Sequence, residues 1–261
     1  MKHTQIISIH SFRGGTGKSN TTANLAAMMA AMGKRVGVVD TDIQSPGIHV
    51  ILGLDESNMK HSLNDYLWGK CAIEETAHDV TASVGANVSG KVFLIPASLQ
   101  PGEITRILRE GYDPSLLNDG FRALSKRLAL DVLLIDTHPG VNEETLLSIA
   151  ISDAVLIILR PDQQDYLGTG VTIQLAHRLK VENLLILVNK APPSLDAAQL
   201  RKKVEDAYQC PVAAIIPHSD EMMLLASMGV FTARYPDHAI SKLYQKTAEL
   251  LLVPGQHHNA G

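Results

Sequence analysis

The run Phe12-Arg13-Gly14-Gly15-Thr16-Gly17-Lys18-Ser19-Asn20 carries the densest chemistry in the sequence. Its glycines let successive backbone N–H groups turn inward around an anion without Cβ clashes. The apolar run Ile6-Ile7-Ser8-Ile9 precedes it and a helical pattern rich in Ala, Met and Leu follows. The start of that helix adds free N–H groups and the positive end of its dipole. Lys18 offers a point charge for the β- and γ-phosphates of a nucleotide, and the Ser19 hydroxyl is a ligand for Mg2+. The pattern G-x-x-x-x-G-K-[ST] is met except at its first position, where Phe12 stands in place of Gly. The residues expected around the nucleotide are Gly14, Gly15, Thr16, Gly17, Lys18, Ser19 and Asn20.

Acids follow two later apolar runs. Val36 to Val39 leads into Asp40-Thr41-Asp42, and Val132 to Ile135 leads into Asp136-Thr137-His138-Pro139-Gly140. Four apolar residues and then an acid form a Walker B pattern, in which Asp136 holds Mg2+ through water. An Asp-x-Asp at a strand end can also simply cap a turn. His138 reads either as a proton shuttle or as an ordinary loop residue. Leu187-Val188-Asn189-Lys190 closes another run, and a guanine site would continue with an aspartate two residues on, where Pro192 stands. The Asn189 amide, with one donor group and one acceptor, suits the adenine amino group and N7. It also suits a plain turn.

Arg13 to Ser19, continued by Thr21-Thr22-Ala23-Asn24-Leu25-Ala26, resembles the deviant Walker A motif of the ParA/MinD family. These are P-loop ATPases that position cargo such as DNA, division-site regulators or cellular compartments, and the resemblance covers most of the chain. It implies ATP and Mg2+ as ligands, with Asp42 orienting the attacking water and Asp40 supporting the metal shell beside Ser19 and Asp136. It also implies that the Gly140 N–H senses the γ-phosphate. Ile216-Pro217-His218-Ser219-Asp220 is similar to the family's loop against the adenine, which adds Pro217 and Ser219 to the base pocket. One departure stands out: the family's signature lysine, which reaches the partner's nucleotide across an ATP-bound dimer, is Arg13 here. A guanidinium keeps the charge and can grip two phosphate oxygens, so Arg13 joins Lys18 and Asp42 as an expected catalytic residue. The same group can instead pair with a nearby carboxylate. The resemblance further implies an ATP-dependent homodimer stimulated by an adaptor protein and released from a surface after hydrolysis; the alternatives are a membrane-associated MinD-type spatial regulator and a nucleotide-binding signalling module with little turnover.

These residues need a scaffold. Apolar runs recur at 6–9, 36–39, 92–95, 132–135, 155–158, 184–188 and 212–216, continuous rather than alternating, as in strands covered on both faces. Helical stretches separate most of them, so the expected fold is α/β: a doubly wound, mainly parallel sheet of about seven or eight strands with helices on both faces. With 261 residues and 45% apolar composition, one domain is expected over 1–254, with a flexible tail over 255–261.

A net charge of −4 excludes coating nucleic acid by bulk charge, and 4% aromatics are too few for a base-stacking surface. A local basic patch for non-specific DNA remains, with Arg178, Lys180, Arg201, Lys202, Lys203, Arg234, Lys242 and Lys246 as candidates. Ile240, Leu243, Tyr244, Thr247 and Leu251 form a C-terminal stripe that reads as core packing rather than a membrane foot, since Lys242 and Lys246 supply few charges and Pro254 ends the helix. Two cysteines, Cys71 and Cys210, suit a reducing cytoplasm and do not fall where a cluster-bridging pair would lie.

Overall fold

Strands whose side chains are apolar on both sides must be buried on both faces, and this chain meets that requirement by sandwiching one sheet between helical layers. The computed structural model describes residues 3–85 and 88–252. Its strands are β1 (Gln5–His10), β2 (Arg35–Asp40), β3 (His78–Asp79), β4 (Lys91–Ile95), β5 (Val132–Asp136), β6 (Ala154–Leu159), β7 (Asn183–Ala191) and β8 (Val212–Pro217). They form one eight-stranded sheet in the order β3-β4-β2-β5-β1-β6-β7-β8. Only the β3–β4 pair is antiparallel; the other pairings are parallel. The seven anticipated runs are thus all strands. The two-residue edge strand β3 has no apolar run to announce it.

The helices are α1 (Lys18–Ala31), α2 (Ile48–Ile51), α3 (Leu63–Leu67), α4 (Pro101–Glu110), α5 (Ser115–Arg127), α6 (Glu143–Ala150), α7 (Gln163–Arg178), α8 (Ala197–Tyr208), α9 (Asp220–Leu225), α10 (Phe231–Arg234) and α11 (Ala239–Leu252). The pleat divides the side chains between two layers. Ile7, Ile9, Leu134, Leu156, Ile158 and Leu187 bury on one face with α1 and α11. Leu133 and Ile135 bury on the other with α5, and Val155, Ile157 and Ile186 on that same face with α7 and α8. The stripe on α11 follows suit: Ile240, Tyr244, Thr247 and Leu251 are buried, with α11 packed on α1 and β8. Among the described residues no helix is long and apolar enough to cross a membrane. The Pro254 stop and the tail 255–261 lie outside the described residues.

Topology decides where ligands can bind. From β1 the chain builds outward through β2 and β4, returns to β5, then crosses to the other side through β6, β7 and β8. The reversal opens a crevice at the carboxyl end of β1, which is where such sheets hold ligands. Register completes the arrangement: Asp136 lies opposite Ile9 on one side and opposite Asp40 on the other. The tips of β1, β2 and β5 therefore end level with one another.

Candidate functional site

The glycine loop leaves β1 and enters α1 at Lys18, because Gly17 itself adopts the left-handed N-cap conformation with φ 98°. Gly15 is also left-handed, at φ 74°. Alternation of this kind turns consecutive N–H groups to one side, forming an anion nest. No side chain caps α1, so its first N–H groups face the loop's concavity. The tip of β7 holds the loop from outside. Asn189 Nδ2 donates to the Thr16 carbonyl at 2.8 Å and Lys190 Nζ to the Gly15 carbonyl at 3.0 Å. A Cβ on Gly17 would collide with the Asn189 amide, so this glycine answers both to backbone geometry and to close approach.

Lys18 is buried in the first turn of α1; its charge acts on Asp42 and Asp136, and Asp40 neighbours both acids. Asp136 accepts from the Thr22 hydroxyl at 3.3 Å. Burial pushes its carboxyl up to about 6, against the pull of a Ser19 hydrogen bond and the Lys18 charge. Asp40 is buried too, and accepts from the backbone N–H of Asp42 at 3.0 Å and of Gly47 at 3.3 Å. Burial first, then the charges of Asp136 and Asp42, hold its carboxyl well above the usual range. Burial also raises Asp42, while His138 and Lys18 pull it down. Its Oδ1 finds no hydrogen-bond partner among the described residues; the His138 Nε2 lies 3.8 Å away. His138 Nδ1 is turned elsewhere and donates to the Pro139 carbonyl at 2.7 Å.

The loop after β5 is tied to the tip of β1. Thr137 donates through its hydroxyl to the Ile9 carbonyl at 3.0 Å, and the Gly140 N–H donates to the Ser11 carbonyl at 3.1 Å. Arg13 points the other way, to the start of α7, with Nη1 3.4 Å from Asp165 and 3.5 Å from Asp162. Arg160 shares both carboxylates at 3.1 Å. Its neighbour Phe12, standing where the general pattern has glycine, lays its ring against Gly168 of α7, and a side chain on Gly168 would occupy the ring's space. The two residues that depart from the phosphate-loop pattern thus anchor it to α7. In this conformation Arg13 is engaged within its own chain.

The base-pocket residues come together in a cleft of about 340 Å³ lined by Gly17, Asn20, Asn189, Lys190, Pro217, His218, Ser219, Met222, Met223, Ala226 and Ser227. Ser219 caps α9, accepting from the Met222 N–H at 3.2 Å and donating to Glu221 at 2.6 Å. Asn189 lines the cleft, yet its amide serves the glycine loop and its own turn, Oδ1 accepting from the Lys190 N–H at 2.9 Å. A larger cavity, about 460 Å³, opens near the start of β1 between His3, Thr4, Arg122 and Leu130. It lies at the opposite end of the sheet from the acids and the glycine loop, and volume alone gives it no chemistry.

Sequence reading passed over several members of the site. Thr22 and Thr137 carry bonds to Asp136 and the β1 tip, and Lys190 braces the loop. The one usable signal was His10, a titratable residue directly after the apolar run at 6–9. The cleft-lining methionines had none, because they reach the site only through the placement of α9.

A glycine loop between a central strand and a helix, a lysine in the first helical turn and acids at adjacent strand tips define a P-loop nucleotide-binding protein. A family model described as an AAA domain matches residues 4–190. An uncharacterized ATP-binding protein of Methanocaldococcus jannaschii is 27% identical across 94% of this chain and 87% of its own. The septum site-determining protein MinD of Thermotoga maritima is 24% identical across 93% and 86%. Among solved structures, MinD of Pyrococcus horikoshii, complexed with Mg-ADP, shares the fold with a TM-score of 0.75 at 22% identity, covering 95% of both chains. The chain belongs to this AAA-domain family and is a P-loop ATPase of the ParA/MinD kind.

Proposed function

We propose that this ATPase is a cytoplasmic, nucleotide-switched dimer that positions or partitions an intracellular cargo, DNA or a cellular compartment, and that an adaptor protein stimulates its turnover. The observation that carries the site assignment is the gathering of Asp42 and Asp136 around the buried ammonium of Lys18, with Asp40 against Asp136 on the next strand, beside an anion nest. Three carboxylates against one cation leave the pocket short of positive charge, and a buried carboxyl pushed upward is the electrostatic mark of that shortage. Magnesium fits the donor set: it takes oxygen ligands, keeps several waters and needs few protein groups. Ser19 would hold it directly and Asp136 through water, with Asp40 behind. Bound there, Mg2+ neutralises charge on the phosphates. Lys18 grips the phosphates, Asp42 orients the attacking water, and the Gly140 N–H exchanges the Ser11 carbonyl for the γ-phosphate. Pro217 and Ser219 flank the adenine in the cleft, and ATP is favoured over GTP for want of an acid at Pro192.

Dimerisation rests on the resemblance and on exposed apolar groups around the loop: Phe12, Val141, Leu167 and Val171 lie at its margins. Arg13 would have to leave Asp162 and Asp165 to reach a partner's nucleotide. For the surface, DNA is favoured over membrane, since the α11 stripe is committed to the core. The basic set is smaller than its sequence suggests: Arg201 bonds the Val212 carbonyl and Glu205, and Lys203 sits 5.2 Å over the Tyr166 ring. Size-exclusion chromatography of Asp42→Ala with ATP, ADP or no nucleotide, repeated with DNA, tests the reading. An ATP-only dimer that retains DNA supports it; a monomer in every condition refutes the switch. Lys18→Ala and Asp42→Ala must both reduce ATP hydrolysis to background, and wild-type rates in both would remove the site assignment.

A further inference from the structure

His10, the last residue of β1, is fully buried on the face of the sheet below the loop that follows β5. Its ring is oriented by a chain of bonds that leaves no freedom in where its proton sits. The Thr137 hydroxyl lies 3.0 Å from the Ile9 carbonyl, which can only accept, so the hydroxyl hydrogen goes there. The same oxygen lies 2.7 Å from His10 Nδ1, so Nδ1 must carry the hydrogen and donate. Nε2 is left as a bare lone pair, buried and without a hydrogen-bond partner among the described residues. A buried acceptor without a donor is costly, which argues that some functional state supplies one. Burial, and then the nearby charges of Lys18 and His138, push the ring's pKa down to about 3, so it stays neutral and keeps its lone pair.

Lys18 shares this pocket: its charge acts both on the ring and on Asp136, the neighbour of Thr137. It is buried in the first turn of α1, and its ammonium has three N–H groups, of which two suffice for a β- and a γ-phosphate oxygen. We propose that His10 is a positioning residue of the phosphate site: its Nε2 lone pair accepts the third N–H of Lys18 when the nucleotide is bound, and so aims the other two at the phosphates. The inference rests on the reading of Lys18 as the phosphate ligand and adds the group that orients it. A merely structural histidine would need only its Nδ1–H, to hold Thr137.

Two variants separate these roles. His10→Gln puts an acceptor near the place of Nε2 and gives up the Nδ1–H; His10→Asn keeps a donor for Thr137 and gives up the Nε2 acceptor. Titration with Mg-ATP, followed by a fluorescent ATP analogue, is expected to show His10→Gln near wild type and His10→Asn weakened roughly tenfold, the worth of one hydrogen bond to a charged group. The reverse order, or two variants alike, overturns the proposal. Nitrogen-15 spectra of the wild-type histidines decide independently of whether the variants fold. The His10 Nε2 resonance must be that of an unprotonated nitrogen and must move on adding Mg-ATP; a protonated Nε2, or one that does not move, overturns it. Unaltered ATP affinity in Lys18→Ala would instead strike the reading beneath it, so the two failures are distinguishable.

Discussion

At the phosphate end of the site, Lys18 is buried in the first turn of α1, and Asp40 and Asp136 are buried at the tips of strands held in register by a continuous ladder. At the base end, the cleft is walled by a six-residue helix, α9, on which Met223 is 63% exposed, and by a turn where Ala226 and Ser227 take left-handed conformations. The first region groups charges whose energies depend on small displacements in a low-dielectric interior. The second offers adaptable apolar contact, for which methionine is well suited. If the cleft holds the base as proposed, rigid placement goes where charge must be matched, and looser packing goes where a flat ring has only to be covered. Asn189 belongs to both regions and bonds the first.

The sharpest way to break this contrast is to remove a charge from the rigid end. Asp136→Ala is expected to lower kcat by about a hundredfold to a thousandfold, the scale of losing one preorganised electrostatic group, as measured by phosphate release. A tenfold effect or less would mean the strand-tip acids are not the metal's support. Gly17→Ala comes next. It forces a side chain into a left-handed position and against the Asn189 amide, costing about 1–3 kcal/mol of strain. Thermal unfolding should record that loss, and ATP affinity should fall with it.

Acidity probes the same buried groups without touching a nucleotide. His10 titrates near 6.5 when unfolded and about 3 when folded, so below pH 6.5 the unfolded chain binds a proton that the native one does not. Stability therefore falls as pH drops through that window, by roughly 1 kcal/mol per pH unit. Asp136 works in the opposite sense, because its native pKa of about 6 lies above the unfolded 3.8, and stability gains between those values as pH falls. Urea midpoints from pH 6.5 to 4.5 should then show His10→Gln resisting acid better than wild type, and Asp136→Asn resisting it less. Identical slopes in all three would contradict the burial argument.

The smallest expected effect sharpens the comparison most. Asn189→Ala frees the Thr16 carbonyl and should cost about 1 kcal/mol, the net worth of a hydrogen bond. If the amide is a loop strut, affinity for ATP, GTP and inorganic triphosphate declines together. Loss confined to ATP would make Asn189 a base reader instead, and would overturn its assignment to the rigid end.

Local sequence carried the phosphate end because its chemistry is contiguous: one strand, one glycine turn and one helix start make a nest with no help from afar. The apolar runs likewise announced seven strands, since burial on both faces demands uninterrupted hydrophobic residues. What the sequence alone determined, then, was a phosphate loop within a doubly wound sheet and the identity of the acids at its strand ends. Tertiary structure decided the rest. Strand register put Asp40 beside Asp136, α7 captured Phe12 and Arg13, and the Asn189 amide went to Thr16 rather than remaining free for a base. The physical reason is that hydrogen bonds and ion pairs form with whichever partner the fold brings within about 3 Å. For these side chains that partner lies far along the chain, where spacing in sequence says nothing of distance in space.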